Sequence, residues 1–158
     1  MLSGCHGAAE VADLYRKLGF VGVSCAFDRV SLIASPGVGA VLIPEVFADS
    51  VKHRVFNARR REPVAILTYG TRRDRTWVFL VGPSWGSRSP RGMVGEMAGH
   101  GVRLLDAGQR IWLPMNDNTV GWHWLSHPAK GKSLPLRTTV LSAARDHLAR
   151  PRVEWAEV

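Results

Sequence analysis

Apolar positions along this chain switch between a helical period and strict alternation, and the switches mark out its elements. Val11, Leu14, Tyr15 and Leu18 fall at helical spacing, which predicts a helix from about Ala8 to Leu18 with one apolar face. Gly19 closes it as a C-terminal cap. Phe20 to Val23 reads as a short strand or an extended entry into the core, and Asp28-Arg29 as a turn. Arg29 to Ala34 and Val38 to Ile43 are apolar strand runs either side of Ser35-Pro36-Gly37, and that arrangement predicts a hairpin. Pro44 then opens a second helix at a position where its missing N–H costs nothing. Phe47, Val51 and Val55 form the buried stripe of that helix, and Pro63 stops it.

The second half repeats the pattern with different spacing. Val64 to Tyr69 and Thr76 to Val81 are the most apolar runs in the chain, so they are expected at the centre of a sheet, joined by the charged turn Gly70 to Arg75. Ser89-Pro90 has the form of an N-cap followed by the first helical residue. The helix it starts, to about Ala98, is weakened by Gly92 and Gly95 and ended by Gly99. Three more strands follow: Val102 to Leu105, Arg110 to Leu113 and Val120 to Leu125, with Asn116-Asp117-Asn118 turning between the last two. Ala129 to Ser133 reads as a flexible loop. Val140, Leu141, Ala144 and Leu148 define a last helix from about Arg137 to Leu148. The predicted fold class is α+β, a largely antiparallel sheet with helices packed on it. It is expected as one domain over residues 1–158, with its core at about 8–149 and a tail at 150–158.

Composition supports a folded chain. Hydrophobic residues are 46% of the 158 and charged residues 22%, enough apolar surface for a core without cross-links. Cys5 and Cys25 are the only cysteines; a disulfide between them is not demanded, which fits a reducing compartment. No basic segment followed by an apolar run opens the chain, and no stretch has membrane-spanning length. The expected location is the cytoplasm, with no membrane partner.

Charge changes the picture more. The formal net charge is +8, which favours acidic partners, either nucleic acid or an acidic protein. The basic residues cluster. Lys52, Arg54, Arg59, Arg60 and Arg61 lie along or just after the second helix, Arg72, Arg73 and Arg75 lie in the charged turn, and Arg88 and Arg91 follow in the next loop and helix. If the two turns share one end of the sheet, these side chains form a phosphate-tracking patch. Trp77, Trp85, Trp112, Trp122 and Trp124 offer stacking surfaces. Trp77, Trp112 and at least one of Trp122 and Trp124 are expected in the core and Trp85 on the surface. Strand alternation puts Trp122 and Trp124 on one face with His123 on the other.

Sequence motifs for catalysis are incomplete. Gly131-Lys132-Ser133 ends like a phosphate-binding loop, but Ser126 stands where the first glycine is required. His123 and His127 share a helical spacing, yet they fall on a strand and a turn and lack a nearby third ligand. No G-x-S-x-G elbow occurs, and no Asp-x-Asp pair is present to hold two metal ions. No cofactor or metal is implied.

Two segments resemble the N-terminal domain of bifunctional DNA primase–polymerases, in the form found in short actinobacterial proteins. They are EPVAILTYGTRRDRTWVFLVGP (Glu62 to Pro83) and GVRLLDAGQRIWLPMNDNTVGWHWL (Gly101 to Leu125). In that family an early strand carries a metal-binding Asp-x-Asp; here the matching strand ends VLIPE, with Glu45 the nearest carboxylate. The family's phosphate-contacting strand histidine falls near Thr76, and its third carboxylate near Asp106. The resemblance therefore implies a scaffold without polymerase chemistry that contacts nucleic acid or a nucleic-acid-processing machine. It leaves Glu45 and Asp106 as candidates for residual metal-dependent nucleotidyl transfer, and a regulatory interaction with an acidic protein as the other reading. A shorter likeness, VADLYRKLGF, matches the opening helix of glyoxalase-type modules, whose His and Glu ligands are not evident here.

Overall fold

A computed structural model describes residues 1–85 and 89–150. Arg88 and the tail from residue 151 lie outside the described residues. The element order is α1 (Ala8–Lys17), β1 (Val23–Ala26), β2 (Arg29–Ile33), β3 (Gly39–Pro44), α2 (Glu45–Ala58), β4 (Ile66–Tyr69), β5 (Thr76–Val81), α3 (Pro90–Met97), β6 (Arg103–Leu105), β7 (Arg110–Trp112), β8 (His123–Ser126) and α4 (Arg137–Leu148). The class is α+β, with two antiparallel sheets.

The larger sheet has the order β6-β3-β5-β4-β8. Its β4–β5 hairpin is the one expected from the two most apolar runs, and β5 is the central strand. One face packs under α2, α3 and α4, through Val41, Ile43, Ile66, Phe79 and Val81 against Val51, Val55, Met93, Val140 and Leu141. The other face carries Ala40, Leu42, Leu67, Val78 and Leu80, which pack against α1 and the smaller sheet, order β1-β2-β7. Period-two alternation thus feeds two cores from one sheet.

Strand pairing departs from the sequence expectation in two places. Arg29–Ala34 and Val38–Ile43 do not form a hairpin. β2 pairs β1 and β7 in the small sheet, and β3 pairs β5 and β6 in the large one. Only the Ser35–Val38 bridge remains of the expected turn, so this connection is a crossing between layers. Likewise β7 and β8 belong to different sheets. The early strand lies at Val23–Ala26, the segment from Phe20 leads into it with Phe20 packed against the core, and the turn is Phe27–Asp28. Ser89 caps α3 as expected, its hydroxyl accepting from the Gly92 N–H at 3.5 Å, but the chain continues as a short 3-10 turn and stops at Gly101, whose φ of 82° is left-handed.

Two buried polar clusters fix the layers. The Trp124 indole donates to the Tyr15 hydroxyl, which donates to the Pro114 carbonyl at 2.6 Å. Arg137, 5% exposed, donates to the carbonyls of Gly82, Ser35 and Pro36 at 2.8, 3.0 and 3.2 Å. Burial lowers the Arg137 pKa, an effect opposed by the charge of Asp106, and a guanidinium stays protonated regardless. It joins the β2–β3 crossing, the end of β5 and the start of α4.

Candidate nucleic-acid interface

The register of the large sheet decides where the basic residues stand. β3 ends at Pro44, opposite Thr76, and the Glu45 N–H donates to the Arg75 carbonyl. The start of α2 and the β4–β5 turn therefore share one end of the sheet. α2 then runs back over the sheet for 14 residues, about 20 Å, so Arg59, Arg60 and Arg61 emerge at the opposite end from Arg72, Arg73 and Arg75. The condition for one continuous patch is not met.

Arg59 is also occupied. Its side chain is only 10% exposed and pairs with Glu62 at 3.2 Å. It also donates to the Pro63 carbonyl and to the carbonyl and hydroxyl oxygens of Ser133. Burial lowers its pKa, with Glu62 acting in the other direction. Arg60 and Arg61 are exposed, with left-handed φ of 54° and 66°. Lys52 lies partly buried on α2. Arg54 lines a shallow groove with Trp85, which is 78% exposed, near the start of α4. Arg91 pairs with Asp106 at 3.1 Å.

The carboxylate candidates separate in the same way. Glu45 follows β3 at the turn end. Asp106 follows Leu105, which pairs with Ala40 at the other end of β3, about 15 Å along the strand. His123 sits on the edge strand β8, buried, with its Nδ1 2.9 Å from the Gly121 carbonyl oxygen. Its pairing with Thr68 puts it on the helix-covered face, opposite Trp124. Among the described residues no three His, Cys, Asp or Glu side chains form a metal-holding group. Cys5 and Cys25 are both free thiols.

A different surface brings arginine and aromatic side chains together. Trp112 on β7 is not a core residue. It is half-buried, with the Arg29 guanidinium 4.4 Å and the Arg110 guanidinium 5.3 Å from its ring centroid. Ile111 and Leu32 point inward from the small sheet, so alternation turns Trp112, Ser31 and Arg110 to its outer face. Arg110 donates to the Ser31 hydroxyl at 2.9 Å. The indole of Trp122 donates to the Trp112 carbonyl at 2.8 Å and stacks on Tyr69 with centroids 4.5 Å apart. Tyr69 receives a hydrogen bond from Arg103 at 3.0 Å and is followed directly by the turn bearing Arg72 and Arg73. Among the described residues none of Arg29, Arg72, Arg73, Arg75, Arg103 and Arg110 forms an ion pair with a carboxylate.

The β1–β2 turn completes this surface. Phe27 and Asp28 both have left-handed φ, 54° and 56°, in a two-residue hairpin loop where Asn-Gly is the favoured pair. Phe27 is 94% exposed, beside Arg29. A bulky aromatic held in solvent on an unfavourable backbone has no folding rationale. Arg29, Arg103, Arg110 and Phe27 were not visible as candidates in sequence, because they are spread over three separate segments. The one signal was the alternation of Arg110, Ile111 and Trp112.

No family model matches this chain, and no curated protein or solved structure matches it either.

Proposed function

We propose that this protein is a non-catalytic domain that binds single-stranded nucleic acid across the outer face of β1-β2-β7 and the adjoining β4–β5 turn. The observation that carries this reading is Trp112 with the Arg29 and Arg110 guanidinium groups 4.4 and 5.3 Å from its ring centroid, none of them engaged by a carboxylate among the described residues. Guanidinium groups beside an aromatic ring supply what an unpaired nucleotide needs, a cation for phosphate and a π-face for the base. The resemblance to primase–polymerase domains supports a nucleic-acid role. The separation of Glu45 from Asp106 argues against nucleotidyl transfer by that pair.

The test is anisotropy of a labelled single-stranded oligonucleotide over a salt series. The affinity is expected to fall with a log–log slope of about −3, which corresponds to about four phosphate contacts on a single strand. Absence of binding at about 50 mM salt, where such contacts are strong, overturns the reading in favour of an acidic protein partner.

A further inference from the structure

A cavity of about 380 Å³ opens between the end of α1, the Ser35–Val38 crossing and the loop after β8, away from the residues of the proposed interface. Its floor is the margin of the first core: Leu18, Phe20, Val38, Ala65 and Leu134 line it and pack against that core. Its volume falls at the small-ligand end of binding cavities. Its loop wall is tied in place at the end that leads into α4. Arg59 holds Ser133, and the Gly82 N–H donates to the Pro135 carbonyl at 2.7 Å. The polar side chains that line it are Lys132, Ser133, Ser35 and His127. Lys132 is the one permanently charged side chain among the lining residues, and no carboxylate is among them. Ser133 accepts from Arg59 and Ser35 accepts from the Gly37 N–H at 3.3 Å, so each hydroxyl keeps its own proton to give.

We propose that this cavity binds a small apolar carboxylate, its hydrocarbon part against Leu18, Phe20 and Leu134 and its carboxylate at Lys132 and the Ser133 hydroxyl. Burying hydrocarbon supplies the affinity. The charged hydrogen bond selects the anion over a neutral molecule of the same shape. An acidic protein segment would meet a pocket too small for it, and a nucleotide would place its phosphates and ribose on apolar walls.

Octanoate and octanol serve as probes, titrated into the isotope-labelled full chain and followed through backbone amide signals. Octanoate is expected to shift the signals of Val38, Ala65 and Leu134 saturably and to bind about tenfold more tightly than octanol, a charge-assisted contact of modest size. Lys132→Ala is expected to remove most of that preference. Ala129→Trp, on an exposed lining residue, fills the mouth and is expected to abolish binding of both while the spectrum stays folded. Equal affinity for octanol and octanoate overturns the proposal, as does undiminished octanoate binding by folded Ala129→Trp.

Discussion

The indole N–H of Trp124 donates to the hydroxyl of Tyr15 at 2.9 Å, across 109 positions of sequence. That bond ties α1 to the edge strand β8, and burial pushes the Tyr15 pKa well above its ordinary 10.0, opposed by the bond from Trp124. Replacing Tyr15 with Phe leaves the Trp124 N–H and the Pro114 carbonyl without this partner. Denaturant unfolding is expected to show a loss of about 1–3 kcal/mol.

The same hydroxyl sets a pH dependence. Its pKa is raised in the folded state, so its stabilising contribution is complete below the unfolded value of 10.0 and is lost as pH rises through the folded one. Stability measured across the alkaline range is expected to fall more steeply for the parent chain than for Tyr15→Phe. Parallel curves for the two would contradict this.

Arg137 donates to three carbonyls that no other described side chain reaches, and of these the Ser35 oxygen also accepts from the Val38 N–H. Arg137→Ala is expected to cost about 2–3 kcal/mol, the desolvation penalty of stranded polar groups. Arg137→Lys should recover little, because an ammonium lacks the fork that spans Gly82 and Ser35. Urea midpoints for the two variants give the comparison.

Phe27 separates stability from binding. Phe27→Asn places a residue suited to left-handed φ in the β1–β2 turn and is expected to stabilise the fold by about 1 kcal/mol. The same change removes an exposed ring beside Arg29, so oligonucleotide affinity should fall. A variant that is more stable and binds as before would remove Phe27 from the interface.

Trp112→Ala is expected to weaken single-strand binding by about 1–3 kcal/mol, as loss of a stacking platform does. Arg72→Gln with Arg73→Gln should instead flatten the salt slope by about 1.4, since each lost phosphate contact contributes about 0.7. Arg60→Gln, at the opposite end of the sheet, should change neither. An equal effect of Arg60→Gln would relocate the interface to the end of α2.

The sequence by itself determined the class and most of the elements. Helical spacing in Val11 to Leu18, the Pro44 start and the Ser89 cap are local physics, and the helices begin where those signals fall. Alternation also put His123 and Trp124 on opposite faces of one strand. Tertiary structure alone decided the partners. The short segment between β2 and β3 is compatible with a tight hairpin or with a crossing between layers. Buried Arg137 and the two apolar faces of the large sheet favour the crossing, and both depend on residues far along the chain. The same holds for charge. Arg61 and Arg72 are close in sequence, but β4 runs the length of the sheet between them and carries them to opposite ends. Arg29, Arg110 and Trp112 are far apart or unremarkable in sequence, yet strand pairing sets them side by side. Register is fixed by which faces can be buried together, and that is a property of the whole chain.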